Sequence, residues 1–225
     1  MSDGPNFGIR HTMPERLALM RRIVEAQARP GLRVLEVGAY EGESALVWST
    51  AVAELCGTGS VLCVDPWRSY VSEEDVLSQP VCGAINEELA SGAVFEQFLS
   101  NTRFASLAAP IYYRVGTLKE TRSYLATLPP FDVAYIDGDH VYDQVRSDIE
   151  VAGALLRVGG VLCGDDLERQ LHECNLEEVT AQRHRNWVGY HPGVTLAVGE
   201  AFPVVWVESG FWAMRKTETG WEPFA

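Results

Sequence analysis

The chain has 225 residues, 47% hydrophobic and 22% charged, which is enough to bury one core and fits a single α/β domain over residues 1–225. Its formal net charge of −13 repels phosphate backbones and anionic lipid, and so argues against a nucleic-acid or membrane partner. No run approaches the ~18 apolar residues of a membrane span and no signal or lipidation pattern opens the chain, so we expect a cytoplasmic protein with a small-molecule partner, free to form a homo-oligomer.

The first predicted element is an N-terminal helix over about residues 12–29. Thr12 and Glu15 fit a capping box, and Pro30 closes the apolar pattern. Residues 32–38, LRVLEVG, form a near-continuous apolar run of the kind found in strands covered on both faces. A second helix over residues 44–55 follows this strand.

The rest of the chain alternates strands with helices. Strand patterns lie at 61–64, 111–115, 131–136, 161–163, 204–207 and 211–214, and the clearest helices at 118–128 and 142–156. This order predicts an α/β fold with a Rossmann-like, doubly wound, mostly parallel seven-stranded sheet. Only Ser209 and Gly210 separate the last two strands, which predicts a C-terminal antiparallel hairpin strand. The segments 66–110 and 165–200 interrupt the alternation, and each is long enough to cover an active site.

A glycine motif, EVGAYEG, joins the first strand to the first helix of the sheet. Gly38 and Gly42 allow a tight turn and the close approach of a ligand, and Glu36 adds a charge there. A nicotinamide site would carry a third glycine at position 40, where this chain has Tyr40. The motif therefore favours a nucleotide or cofactor site over an ordinary glycine-containing turn.

An acidic residue, Asp65, ends the next strand. A carboxylate at this place can accept hydrogen bonds from both hydroxyls of a ribose, in nicotinamide and in S-adenosylmethionine sites alike. A lone Asp at a strand end is more often a helix or turn cap. The spacing of Asp65 after the glycine motif is the observation that favours ribose binding over a cap.

Three further carboxylates follow two later strands. Asp137 ends the strand FDVAYI, and Asp165 and Asp166 follow VLCG. If these strands are neighbours, their ends meet at one edge of the sheet and supply three hard oxygen ligands. The pattern predicts a magnesium site, because three clustered carboxylates without a cation would repel one another. The alternative is that they are solvated helix caps.

These motifs resemble those of class I S-adenosylmethionine-dependent methyltransferases. The pattern E-x-G-x-x-x-G resembles their motif I, and GAY-x-G-x-S is similar to the catechol O-methyltransferase group. Across nearly the whole chain, DPW, IDGDH-x-Y, LL-x-x-GG and GDD resemble a bacterial metal-dependent group that includes the macrocin, demethyldecarbamoylnovobiocin and cephalosporin-cluster enzymes.

The resemblance implies a Mg²⁺-dependent O-methyltransferase that uses S-adenosylmethionine and acts on a hydroxyl of a sugar, glycoside or natural product. It implies the metal ligands Asp137, Asp165 and Asp166. The cofactor-binding residues that we assign on this basis are Glu36, Gly38, Tyr40, Gly42, Ser44, Asp65, Trp67, Gly116, Thr117 and Asp137. The two long segments match no relative closely enough to carry over a substrate.

The predicted general base is His140, three residues after Asp137. An imidazole within hydrogen-bond reach of an activated hydroxyl can remove its proton near neutral pH. Catechol-type relatives have a Lys at this position and some sugar methyltransferases use the second Asp of DGD, so Asp139 is the second candidate. The other histidines, His191 among them, show no ligand spacing and are predicted to be structural or exposed.

Two other functions remain open from the sequence. A nicotinamide-dependent oxidoreductase would share the fold and Asp65, but lacks the third glycine and has no use for three strand-end carboxylates. A non-catalytic cofactor-binding module would keep the glycine motif without needing a metal site.

Overall fold

The computed structural model describes residues 4–7 and 14–224, and the strands within these ranges form one eight-stranded sheet. The strand order is β3-β2-β1-β4-β5-β7-β6, with β8 paired to β7. The strands are β1 (Leu32–Val37), β2 (Gly59–Asp65), β3 (Ile111–Val115), β4 (Phe131–Ile136), β5 (Leu156–Gly164), β6 (Trp206–Glu208), β7 (Phe211–Lys216) and β8 (Trp221–Pro223).

Nine α-helices lie in the described part of the chain, with one 3₁₀ turn at Leu171–Glu173. They are α1 (Pro14–Ala26), α2 (Glu43–Cys56), α3 (Glu73–Ser78), α4 (Pro80–Ser91), α5 (Ala93–Thr102), α6 (Leu118–Leu125), α7 (Tyr142–Leu155), α8 (Leu176–Gln182) and α9 (Pro192–Ala201). None of these helices combines the length and the apolar character needed to cross a bilayer. The capping box predicted at Thr12 lies outside the described residues.

The sheet confirms the predicted Rossmann-like topology. Strands β1 to β5 are parallel, and β7 runs antiparallel to β5, β6 and β8. The hairpin at Ser209 and Gly210 joins β6 to β7, and both residues have positive φ, as such a tight turn requires. The short strand β8 adds to the seven strands expected from the sequence.

Two cores cover the two faces of the sheet. One contains side chains of α1, α2 and α5, such as Met20, Trp48 and Phe98. The other contains side chains of α6, α7 and α9, such as Leu118 and Val145. Near-continuous burial along β1, β2 and β4 follows from this double covering and explains their unbroken apolar sequences.

An ion-pair cluster stabilises the amino-terminal end of β4. The Asp132 side chain is fully buried and accepts hydrogen bonds from Arg29 Nε (2.7 Å), Arg157 Nε (2.6 Å) and the Arg33 backbone N–H (2.9 Å). Although burial would raise the pKa of Asp132, these donors hold it below its usual value. The carboxylate is therefore charged at neutral pH and balanced by two guanidinium groups.

We expect Asp132→Asn to destabilise the fold by roughly 2–4 kcal/mol, because it leaves two partly exposed guanidinium groups beside a buried neutral amide. Urea unfolding at pH 7 measures this loss. The stability contribution of Asp132 falls as pH drops through its lowered folded-state pKa, so the variant and the parent should converge in acid. Glu218→Gln in an exposed turn is the control, and equal stability of both variants would contradict the expectation.

Candidate active site

The candidate site lies where the strand order reverses, between β1 and β4. In doubly wound sheets, ligands bind at this point beyond the carboxyl ends of the strands. The two loops that follow these strands are in backbone contact here, since the Asp137 N–H donates to Val37 O at 2.8 Å. A Cβ at Gly38, where φ is +83°, would lie 2.1 Å from the Asp137 carbonyl oxygen. Only glycine fits this contact, which ties the glycine motif to the Asp137 loop.

Asp65 holds the glycine-motif loop in place. Its carboxylate accepts the backbone N–H groups of Ala39 (2.8 Å), Tyr40 (3.0 Å) and Trp67 (2.6 Å). Burial raises the pKa of Asp65, and the three donors oppose that shift. Tyr40 and Trp67 adopt positive φ at this contact, an uncommon conformation for residues with a side chain. The structure therefore gives Asp65 a loop-holding role, and ribose binding remains a prediction.

The other predicted cofactor residues surround this loop. Glu36 is fully buried and accepts hydrogen bonds from the Ser44 hydroxyl and from Cys63 Sγ, and burial raises its pKa to about 7. Gly42 caps the start of α2 with φ +84°. Glu36 thus lies beneath the loop, where it supports Ser44 and the start of α2.

Three further predicted residues lie near this loop: Gly116 and Thr117 follow β3, and Trp67 follows β2. Gly116 has positive φ, and Thr117 caps α6 in a capping box with Glu120. The Trp67 ring packs beneath the loop against Phe95 and Phe98, at centroid distances of 4.7 Å, and its Nε1 donates to Tyr40 O. This packing gives Trp67 a supporting position below the glycine motif.

Two adjoining cavities open above these loops. The first, here called the cofactor cavity, measures about 170 Å³ and the second, here called the carboxylate cavity, about 290 Å³. Both are lined by Gly38, Tyr40, Tyr70, Asp137 and Gly138. Together they reach the size of small-molecule sites, roughly 300–1,000 Å³. A larger cleft of about 540 Å³ between α7 and α9 contains none of the predicted site residues.

The cofactor cavity and the carboxylate cavity differ in the side chains that complete them. The cofactor cavity adds Asp65, Thr117, Asp139 and residues of α7. The carboxylate cavity adds Arg16, Ser44, His140, Asp165, Asp166, Asn186 and His191. The two candidate bases are therefore separated, because Asp139 lines the first cavity and His140 the second.

The three predicted metal ligands come close enough to interact strongly. Burial, followed by the charges of Asp137 and Asp166, raises the pKa of Asp165 to about 8. Arg16 of α1 offsets part of this charge, with Nη1 2.7 Å from Asp165 Oδ2. Asp137 accepts a hydrogen bond from the Tyr135 hydroxyl at 2.9 Å. Three carboxylates so close together, one of them buried, supply the hard oxygen ligands that fit a divalent cation.

Two histidines add imidazole nitrogens to the cluster. His140 Nε2 lies 2.9 Å from Asp166 Oδ2 and 3.9 Å from Asp137 Oδ1, yet this buried atom has no hydrogen-bond partner among the described residues. His191 Nδ1 lies 3.7 Å from Asp166 Oδ1 and 3.0 Å from Glu168 Oε1. Ligand atoms of His140, Asp166 and His191 all lie within 4.8 Å of one another. Of the three carboxylates predicted from the sequence, Asp166 is thus the one that meets both imidazoles in the described part of the chain.

The surroundings of His140 bear on its role as a base. Burial alone would lower its pKa, but Asp166 and Asp137 raise it well above the usual value and so favour the protonated ring. Its Nδ1 lies 3.1 Å from Asn186 Oδ1. If Nδ1 donates to that oxygen, the neutral ring presents the lone pair of Nε2 to the carboxylate cavity.

Three residues of this site were missed from the sequence: Arg16, Asn186 and His191. Arg16 comes from the N-terminal helix, and the other two come from the long segment after β5. His191 was expected to be structural or exposed, whereas its ring lies 4.4 Å from that of His140, between centroids. No spacing within the sequence signals these contacts.

A family model described as "Methyltransferase domain" matches residues 35–167, which include the glycine motif and all three predicted metal ligands. A search of curated protein sequences found no match.

Solved structures share the fold over most of the chain. The O-methyltransferase NovP aligns with a TM-score of 0.62 at 17% identity, over 93% of this chain and 84% of its own. CalS11, a TDP-rhamnose 3′-O-methyltransferase of calicheamicin biosynthesis, aligns with a TM-score of 0.55 at 15% identity, over 92% and 81%. An O-methyltransferase from Bacillus cereus in complex with SAH aligns with a TM-score of 0.51 at 20% identity, over 91% and 82%.

These likenesses establish a common fold, and the family match covers more than half of the chain. They do not favour the nicotinamide-dependent oxidoreductase alternative. The resemblance seen in the sequence is confirmed: the chain belongs to the methyltransferase-domain family.

Proposed function

We propose that this protein is an S-adenosylmethionine-dependent O-methyltransferase that methylates a hydroxyl group of a small molecule, with a divalent cation held by Asp137, Asp165 and Asp166. The observation that carries the proposal is that the two cavities share Gly38 and Asp137. A cofactor on the glycine motif would thus place its methyl group beside the carboxylate cluster, where an acceptor can reach it.

The reaction follows from this placement. A bound S-adenosylmethionine would supply the methyl group: the acceptor oxygen would attack the methyl carbon, the carbon–sulfur bond would break with S-adenosylhomocysteine as the leaving group, and the hydroxyl proton would pass to a base. His140 is the better placed base, because it lines the carboxylate cavity and its Nε2 lies beside Asp166 and Asp137, at 2.9 and 3.9 Å. Holding acceptor and methyl in line contributes much of the acceleration. When bound, the cation supplies Lewis-acid activation of the acceptor hydroxyl.

Magnesium is the cation that we propose. Three carboxylates are the hard oxygen ligands it prefers, and water and acceptor oxygens can complete its shell. The nearby imidazoles of His140 and His191 also suit Mn²⁺ or another transition metal. Titration of the metal-free protein with each ion, read by calorimetry, decides between them.

A sugar, glycoside or other natural product is the acceptor class that we propose. CalS11, which shares the fold, acts on TDP-rhamnose. The carboxylate cavity is lined by five acidic residues together with Asn186 and His191, and these polar groups suit hydrogen bonds to the hydroxyls of a polyhydroxylated acceptor. Incubation of the protein with trideuteromethyl cofactor, Mg²⁺ and a panel of glycosides should yield a trideuteromethyl ether by mass spectrometry. A non-catalytic cofactor-binding module would bind S-adenosylhomocysteine and yield no product with any acceptor.

We propose further that residues 1–225 form one methyltransferase domain whose long segments, 66–110 and 165–200, cover the site. Tyr70, Ile85 and Leu89 from the first segment line the cavities, as do Asn186 and His191 from the second. Limited proteolysis with and without S-adenosylhomocysteine tests this, since a bound cofactor should protect both segments.

Cofactor binding depends on Asp65 in this proposal. We expect Asp65→Ala to weaken S-adenosylhomocysteine binding by about 1.5–3 kcal/mol, because it removes charge-assisted hydrogen bonds to the ribose and to the glycine-motif loop. Calorimetry measures the change, and a thermal melt confirms that the variant is folded. Exposed Glu218→Ala serves as the control. Unchanged affinity in Asp65→Ala would contradict the assignment.

A further inference from the structure

The cofactor cavity contains a buried carboxylate that neither the glycine motif nor the metal site uses. Asp148, on the second turn of α7, is only 1% exposed and lines this cavity together with Gln144, one turn earlier. Thr117 and Leu118, at the start of α6, line the same cavity. Asp148 is therefore available to a ligand bound there.

Asp148 is poorly compensated by the protein itself. Gln144 Nε2 donates to its Oδ1 at 2.9 Å, and no other described residue donates a hydrogen bond to the carboxylate. The equally buried Asp132 instead has two guanidinium groups and a backbone N–H. Burial and, less strongly, the charge of Asp139 raise the pKa of Asp148 to about 7, and the bond from Gln144 opposes only part of this shift. The carboxylate faces the cavity with one protein donor, so it can accept a further hydrogen bond from a ligand there.

The ligand chemistry follows from the rest of the cavity. Val64, Pro66, Leu89 and Leu118 offer apolar walls that suit the faces of a flat base. Asp65 is assigned to the ribose of the proposed cofactor, and the resemblance to class I methyltransferases implies that the glycine-motif loop holds its methionine part. The hydrogen-bond donor that remains on it is the exocyclic 6-amino group of the adenine.

We propose that Asp148 recognises the adenine of the cofactor, its Oδ2 accepting a hydrogen bond from the 6-amino group while Gln144 holds Oδ1. This inference rests on the proposed function, because it takes S-adenosylmethionine as the occupant of the cavity. It makes Asp148 a specificity-determining residue that selects a 6-aminopurine. Gln144 is a positioning residue.

The test compares three ligands that differ only at position 6 of the purine. They are S-adenosylhomocysteine, its 6-oxo (inosyl) analogue and its 6-hydrogen (nebularinyl) analogue, each measured by calorimetry. The wild-type protein should bind the 6-hydrogen analogue about 5- to 20-fold more weakly than the adenosyl ligand, since one hydrogen bond to a carboxylate is lost. The 6-oxo analogue should bind more weakly still, because it turns an acceptor toward the carboxylate. Equal wild-type affinity for all three ligands overturns the proposal without any variant.

The substitution Asp148→Asn separates recognition from a structural role. Its amide can turn its oxygen or its nitrogen toward the ligand, so the preference for 6-amino over 6-oxo should shrink to within about threefold. Asp143→Asn, an exposed acid on the same helix, should keep the wild-type preference. A variant that weakens all three ligands equally would assign Asp148 to structure and overturn the proposal. If the wild-type protein binds no S-adenosylhomocysteine at all, the proposed function itself fails, and this inference fails with it.

Discussion

Excess chelator is expected to abolish methyl transfer by this protein, and added Mg²⁺ should restore it. The physical reason is the cluster of Asp137, Asp165 and Asp166, in which burial, followed by the charges of the other two carboxylates, raises the pKa of Asp165 to about 8. A divalent ion offsets these charges and supplies the acidity that an alcohol needs to lose its proton. Turnover assays after dialysis against chelator, followed by metal titration, measure the effect.

Single substitutions distinguish metal binding from cofactor binding. Asp165→Asn should lower metal affinity at least tenfold and leave S-adenosylhomocysteine binding largely intact. Asp143→Asn should change neither, because this carboxylate is exposed and lies outside both cavities. Full turnover of the wild-type protein in excess chelator would show that the carboxylates serve another purpose.

His140→Ala is expected to lose roughly 10²–10⁴-fold in kcat while still binding metal and cofactor. His140 lines the carboxylate cavity, and its Nε2 lies between Asp137 and Asp166. These carboxylates raise the pKa of His140 and so favour the protonated ring. A bound cation would oppose that shift, so kcat should rise with pH through one ionisation as the imidazole becomes able to accept a proton. Steady-state rates across pH, with cation and cofactor saturating, measure it.

Different results are expected if Asp139, and not His140, is the general base. If it were the base, Asp139→Asn would carry the loss, His140→Ala would keep most of its rate, and the pH dependence would move toward carboxylate values. Its place in the cofactor cavity argues against this. If both variants stayed active, lowering of the hydroxyl pKa by the cation and in-line placement would suffice, and the reaction would need no general base.

Much of the fold could be predicted from the sequence, because buried parallel strands leave unbroken apolar runs. The strands that carry Glu36, Asp65 and Asp137 were placed within a few residues for this reason. The start of β5 at Leu156 was not predicted, since residues 155–158 continue the apolar pattern of α7 without a break. The three-residue strand β8 is too short to leave a periodic signal.

Only part of the candidate site could be predicted from the sequence, because some of its residues meet through tertiary packing alone. Gly38 and Asp137 stand at strand ends, where topology alone brings them together. Arg16 and His191 reach the carboxylates from α1 and from the start of α9, so their contacts depend on tertiary packing. Asp65 was predicted to bind a ligand, but its bonds to Ala39 and Tyr40 could not be foreseen from its spacing.

The central claim is that cofactor and cation meet at Asp137, and a crystal grown with S-adenosylhomocysteine and Mn²⁺ tests it most directly. Mn²⁺ replaces Mg²⁺ here because its anomalous scattering identifies the ion. We expect the cofactor over Gly38 with its sulfur facing the carboxylate cavity, and an anomalous peak within about 2.5 Å of oxygens of Asp137 and of Asp165 or Asp166. An anomalous peak away from these carboxylates, or a cofactor bound elsewhere than above Gly38, would contradict it.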